Sequence, residues 1–224
     1  MRPGTLLRWY ALQYILKDEI KDDGIILDIG SYDGEISYRL KKISPNLNIT
    51  VLDVDQSGLE IANKKGLNTL CCSALKIPIE NEQVDIIICL DVIEHIVEDH
   101  ILVKEISRVL KTNGKVILTT PMKNGVNLPF VNKQKVLNIN KKWGHVRLGY
   151  SIEDLENLFQ KNNLSIVKKT KYFNFFSRFF YYLSFCSNIP LKGKKFLYEI
   201  VIKLEPFLKL KSQEHIIIAQ KMKS

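Results

Sequence analysis

The sequence predicts an α/β protein: a doubly wound, seven-stranded, mostly parallel sheet with a helical aromatic and basic insertion before its last strand. Three observations predict it. Short apolar runs alternate with helical stretches from residue 5 to residue 120, and glycine or asparagine turns separate them. A dense aromatic segment then breaks the pattern between the last two runs. Such alternation builds parallel strands joined by helices, and the ligand of such a sheet sits at the carboxyl ends of the strands.

Residues 5–20 read as an amphipathic helix ended by Gly24, and Ile25–Ile29 as a buried strand that stops in a glycine turn. A helix over 35–42 and a strand over 49–53 follow. Ser57 and Glu60, spaced as a capping box, are expected to open a helix through Ala62. A weaker strand lies at 68–72 and a strong one at Val84–Leu90. A helix at 98–110, a turn at Asn113-Gly114 and a strand at 115–120, stopped by Pro121, complete the first half. A Lys/Asn-rich loop is expected up to 142. Ser151 then caps a helix to 161, and strands at 164–170 and 215–220 close the sheet.

Composition bounds the class. Hydrophobic residues make up 46% and charged residues 25% of the 224, which excludes disorder and collagen-like architecture. The formal net charge of +9 is uneven: residues 1–163 hold 21 Lys+Arg against 21 Asp+Glu, and the final 61 hold 12 against 3. Cys71, Cys72, Cys89 and Cys186 form no CxxC pair, so reduced thiols are expected rather than a zinc ribbon or disulfide framework. No signal peptide is visible, and the longest charge-free apolar stretch, 179–191, is shorter than the roughly 20 residues that cross a bilayer. The expected location is cytoplasmic, or peripheral at the inner face of a membrane.

The first strand runs into Leu27-Asp28-Ile29-Gly30-Ser31-Tyr32-Asp33-Gly34-Glu35. A glycine turn between strand and helix brings backbone N–H groups to the sheet edge, where a nucleotide-like ligand lies. The loop lacks the second glycine of G-x-G-x-x-G, Tyr32 standing in its place, and no lysine makes it a Walker loop. A dinucleotide therefore fits poorly. Asp28 suits a ligand with a positive end, and Asp53, 19 residues after Gly34, suits ribose hydroxyls. S-adenosylmethionine meets these conditions.

Here the sequence resembles a known family. Leu27 to Gly34 is similar to the first motif of class I S-adenosylmethionine-dependent methyltransferases, and Val51-Leu-Asp-Val-Asp55 to the second. Leu75-Lys-Ile-Pro78 with Val84-Asp85, Leu90-Asp-Val-Ile-Glu-His95, Arg108 to Gly114 and Thr119-Thr-Pro121 resemble the rest, in family order. The resemblance implies a Rossmann-like methyltransferase fold with S-adenosylmethionine as cofactor. It implies cofactor contacts from Asp28, Gly30, Ser31, Tyr32 and Gly34, from Asp53 and Val54 at the ribose, from Ser73 and Ala74 beside the adenine, and from Leu90. Tyr32 replaces a usual glycine and Ser73 a common aspartate. The chain then divides as one domain into an N-terminal helix at 1–22, a cofactor-binding core at 23–122 and an acceptor-side half at 123–224 with the insertion at 172–211.

Asp91 and Glu94 have capping-box spacing, the plain reading. Two functional readings stand beside it. His95, with His145 of Trp143-Gly-His-Val-Arg147, is the candidate catalytic group, as general base toward an acceptor hydroxyl. Alternatively Asp91, Glu94 and His95 join His145 as a hard-cation site, a pattern resembling that of quinone-pathway O-methyltransferases and small-RNA 2′-O-methyltransferases. Oxygen-rich ligation suits Mg or Mn better than zinc.

Residues 172–207 hold 12 of the 21 aromatic side chains, followed or interleaved by Lys192, Lys194 and Lys195. They read as a helical lid, or as an interfacial segment meeting anionic lipid. A nucleic-acid surface is the weaker reading, since the run is denser in Phe than stacking surfaces need. The expected function is in-line methyl transfer to an oxygen of a small-molecule or lipid-linked acceptor. A metal-dependent RNA 2′-O-methyltransferase and a non-catalytic scaffold retaining the fold are the alternatives.

Overall fold

The computed structural model describes residues 3–186, 191–208 and 210–223. Residues 187–190 and 209 of the predicted insertion lie outside the described residues, as do the side chains at 184–186 and 191–195, Cys186, Lys192, Lys194 and Lys195 among them. The strands are β1 (Ile25–Ile29), β2 (Asn48–Asp53), β3 (Asn68–Cys71), β4 (Val84–Leu90), β5 (Leu110–Pro121), β6 (Leu164–Tyr172) and β7 (Glu214–Lys221). The helices are α1 (Pro3–Glu19), α2 (Glu35–Ile43), α3 (Gln56–Lys64), α4 (Asp99–Val109), α5 (Lys133–Lys142), α6 (Ile152–Gln160), α7 (Phe175–Cys186) and α8 (Leu191–Leu204).

One seven-stranded sheet has the order β3-β2-β1-β4-β5-β7-β6. The first five strands pair in parallel, and β7 runs antiparallel between β5 and β6. The winding reverses between β1 and β4. Connections therefore leave these two strands in opposite directions and open a crevice at their carboxyl ends.

Side-chain alternation along the strands builds two cores. Ile26, Ile86, Ile88, Ile117, Ile216 and Ile218 face α1 and α2, while Leu27, Ile29, Ile87, Cys89, Val116 and Leu118 face α4 and α6. Leu6, Leu12 and Leu16 seat α1 on the first face; all three are fully buried, each contributing roughly 1.5–3 kcal/mol. The edge strand β6 leaves its middle exposed, and Lys168, Lys169 and Lys171 there discourage pairing with a further strand.

Local chemistry moved some boundaries. Asp55, not Ser57, caps α3: its carboxylate accepts from Ser57 N (2.9 Å) and Gly58 N (3.2 Å), and the Ser57 hydroxyl donates to it instead of capping. β5 starts at Leu110, pairing with Val84 ahead of an irregularity in β4. The expected loop before 142 contains α5, whose N-terminus Asn132 caps by accepting from Lys135 N (2.8 Å). Ser151 caps α6 with a full capping box closed by Asp154.

The insertion is helical, as expected, and is anchored. Tyr198 of α8 is buried in the α1 core, and the Glu205 carboxylate accepts from Asn174 N (2.7 Å) and the Ser177 hydroxyl (2.6 Å). Among the described residues, no helix is long and apolar enough to cross a membrane.

Candidate functional site

The turn after β1 is shaped by two glycine requirements. Gly30 has φ +70°, and a Cβ there would lie 2.4 Å from Val92 Cγ2; its N–H donates to the Leu52 carbonyl (2.7 Å). Tyr32 also adopts a left-handed φ of +53° and turns its ring onto α3, where Gly58 gives it room: a Cβ at Gly58 would lie 2.5 Å from the ring. The departure at Tyr32 is thus absorbed outside the loop. Asp53 holds the turn from β2, its carboxylate accepting from Tyr32 N (2.7 Å) and Asp55 N (2.9 Å). Carboxylate oxygens have lone pairs to spare beyond these bonds.

The crevice between β1 and β4 is an open cleft lined by Thr5, Arg8, Asp28, Gly30, Ser31 and Leu90, with Ile29, Glu35 and Ile36 completing the wall. Asp28 is buried and accepts from the Ser37 hydroxyl (2.6 Å). Burial pushes its carboxyl up to about 6, against the opposing hydrogen bonds of Ser31 and Ser37. Arg8 crosses from α1 and pairs with Asp91. Burial works against its charge, but Asp91, Tyr172 and Glu214 outweigh it and hold the guanidinium charged. Glu214, which accepts from the Tyr172 hydroxyl (2.6 Å), is pushed up to about 8 by burial and by Asp91. One cation therefore serves a cluster of buried acids beside the cleft.

Asp91 is not a helix cap. It has φ +54°, donates its N–H to the Thr119 carbonyl (3.0 Å), and its carboxylate is taken by Arg8 and the Thr119 hydroxyl. The turn Ile93–His95 that follows has no side-chain cap. Glu94 is fully buried; Thr120 donates to one carboxylate oxygen (3.2 Å), and burial with Asp91 nearby raises the carboxyl well above its usual range. His95 and His145 meet edge to face, ring centroids 4.5 Å apart. Burial lowers both, and His145, with His95 adding to the effect, falls to about 4.

Of the expected cofactor residues, Asp28, Gly30, Ser31 and Leu90 line the cleft, while Tyr32, Gly34 and Asp53 form the turn and its brace. Val54 is exposed beyond β2. Ser73 and Ala74 lie just past the end of β3, where the Cys72 N–H donates to the Asp53 carbonyl (3.1 Å). The sequence reading missed Thr5, Arg8, Glu35 and Ile36. Nothing in the order of residues marks Arg8, because its place depends on how α1 docks.

Fold and site meet in the comparisons with known proteins. Residues 27–118 match the family described as a methyltransferase domain. A methyltransferase-like protein of Schizosaccharomyces pombe is 32% identical over 143 residues, 62% of this chain and 53% of its own length. The ubiquinone biosynthesis O-methyltransferase of Coxiella burnetii is 24% identical over 153 residues, 65% of this chain and 64% of its own. The chain thus spans between half and two thirds of these relatives. The geranyl diphosphate C-methyltransferase of Streptomyces coelicolor A3(2), solved with S-adenosyl-L-homocysteine, shares the fold with a TM-score of 0.68 at 16% identity, over 95% of this chain and 79% of that one. Residues 27–118 thus carry a match to the methyltransferase-domain family, and the sheet has the Rossmann-like fold of solved methyltransferases.

Proposed function

We propose that the cleft binds S-adenosylmethionine and that the chain passes the methyl group to an oxygen of a small-molecule or lipid-linked acceptor. The observation that carries this is that Arg8, held by Asp91, and Asp28 both line the cleft, with Asp53 bracing the turn beside it. A zwitterionic amino-acid end finds a cation and a carboxylate there, and ribose hydroxyls find the free lone pairs of Asp53. When bound, the sulfonium supplies an activated methyl carbon. The chain's own share is orientation and exclusion of water, to which α1 contributes by lying over the cleft with Thr5 and Arg8. His95, kept neutral by its lowered proton affinity, is a base suited to an acceptor hydroxyl, with His145 against its ring. Oxygen as the accepting atom draws support from the Coxiella burnetii relative.

Calorimetry with S-adenosylmethionine tests the cofactor half. Wild type is expected to bind, and Asp53→Ala to bind about 30-fold more weakly, the value of a hydrogen bond to a charged group at roughly 2 kcal/mol. No binding by wild type, or equal affinity in the variant, would falsify the reading.

The insertion supports a peripheral location at an anionic membrane face. Phe196, Ile200 and Leu204 stand exposed at four-residue spacing on α8, and Phe207 follows at 79% exposure. The surrounding tail carries the excess positive charge. Flotation with vesicles containing phosphatidylglycerol is expected to carry the protein, and Phe196→Glu/Phe207→Glu to abolish it. Equal flotation of both proteins would remove this part of the proposal.

A further inference from the structure

We propose that Asp91 acts as a positioning residue: it holds Arg8 against the cleft and so makes the site selective for a cofactor that keeps its α-carboxylate. The inference rests on the cofactor reading above and adds to it the group through which Arg8 is aimed.

Asp91 is fixed in an unusual conformation. Its φ of +54° lies in the left-handed region, which a residue with a side chain holds at a cost on the order of 1–3 kcal/mol and only where the surrounding bonds over-determine it. Those bonds come from Thr119 of β5, whose carbonyl accepts from Asp91 N (3.0 Å) and whose hydroxyl donates to the Asp91 carboxylate. Leu90 and Thr119 are partners in the sheet register, so the aspartate is tied to the carboxyl ends of two central strands.

Arg8 needs such an anchor. It reaches in from α1, and a free arginine side chain carries about 2 kcal/mol of rotamer entropy. Asp91 accepts from one terminal nitrogen and pins the guanidinium. Glu214 also faces it, but burial raises that carboxyl to about 8, which leaves Asp91 as the counter-charge at neutral pH.

The guanidinium still has donors to give. Arginine carries five N–H groups, and the buried Nε of Arg8 has no hydrogen-bond partner. Among the described residues lining the cleft, Arg8 is the one cation, set against Asp28 and Glu35. Glu35 is engaged by Arg39 and Lys65. A ligand carboxylate entering here is repelled by Asp28 unless the guanidinium is held in place, whereas a ligand ammonium is served by Asp28 without it. The two ends of an amino-acid group are therefore read by different chains of contacts. Removing the Asp91 charge loosens only the one that reads the carboxylate.

Calorimetry on the full chain with three ligands tests this. They are S-adenosylmethionine, its decarboxylated form, which keeps the sulfonium and the amine, and methylthioadenosine, which lacks the amino-acid end. Wild type is expected to bind the first at least ~10-fold more tightly than the second, the contribution of one charge-assisted hydrogen bond. In Asp91→Asn that preference should fall below about 3-fold, while affinity for methylthioadenosine stays the same. Asparagine tolerates the left-handed backbone and still accepts from the Thr119 hydroxyl through its amide oxygen, so the turn is kept. Thr119→Val, which removes the hydroxyl brace and leaves the charge, should lower the preference by a smaller factor. A role in stability alone would weaken all three ligands together in both variants. That outcome overturns the proposal, as does a wild type that binds S-adenosylmethionine and its decarboxylated form equally well. A wild type that binds none of the three overturns the cofactor reading, and this inference with it.

Discussion

Replacing Arg8 by leucine is expected to destabilise the protein by about 3 kcal/mol at pH 8, the order of loss seen when one partner of a buried ion pair is removed. Arg8 pairs with Asp91 and faces Tyr172 and Glu214, and both members of the pair are mostly shielded, at 24% and 17% side-chain exposure. The leucine keeps the packing of the stem while leaving the acids without their cation. The loss is also pH-dependent. Glu214 is raised to about 8, so its contribution to stability is present at low pH and disappears as pH rises through that value. Without Arg8 the acids hold their protons more tightly still, and the penalty concentrates at the alkaline end. Urea unfolding at pH 8 and pH 5.5 checks this: the variant should recover much of its deficit at the lower pH. A deficit under about 1 kcal/mol at pH 8, or one that does not change with pH, contradicts the role assigned to Arg8.

Asp28→Asn is expected to work in the opposite direction on stability while damaging binding. The native carboxyl titrates at about 6 because burial opposes its charge, against an ordinary value of 3.8. At neutral pH the fold therefore carries a buried charge costing on the order of 2–3 kcal/mol. Asparagine removes that charge and still accepts from the Ser37 hydroxyl through its amide oxygen. The sign follows from the raised value: the wild type gains as pH falls through 6, so the advantage of the variant is full above pH 6 and fades toward pH 4. S-adenosylmethionine affinity should drop by about 100-fold, because the ligand's positive end loses its counter-charge. A variant that is both less stable at pH 7.5 and unimpaired in binding contradicts this account of Asp28. The gain in stability with loss of affinity is the mark of a group kept for function.

Much of the fold was legible because strand and helix periods are local. The consecutive isoleucines of β4 and β7, Ile86 to Ile88 and Ile216 to Ile218, announce strands buried on both faces, and the Gly30 turn marks the carboxyl end of β1. The cleft-lining residues Asp28, Gly30, Ser31 and Leu90 were readable for the same reason, since the first three sit at the carboxyl end of β1 and Leu90 at that of β4. Other features were not readable because two sequence-distant groups decide them. Asp91 and Glu94 have the spacing of a cap, but Arg8 and Thr119 claim Asp91 across 83 and 28 residues, and no local rule anticipates that competition. The α5 helix was hidden by a Lys/Asn-rich segment that buries little beyond Val136 and Asn140. The cap of α3 moved because a carboxylate at 55 outcompetes a hydroxyl at 57 for the same N–H groups.

The docking of α1 has a bearing on the order of assembly. Arg8 pairs with Asp91 just after β4, but its further neighbours Tyr172 and Glu214 belong to β6 and β7. β7 slots between β5 and β6 although it follows both in sequence. A sheet of the five parallel strands alone therefore holds the Arg8–Asp91 pair beside an open flank on β5, and the acid cluster around the guanidinium is complete only when β7 takes its place.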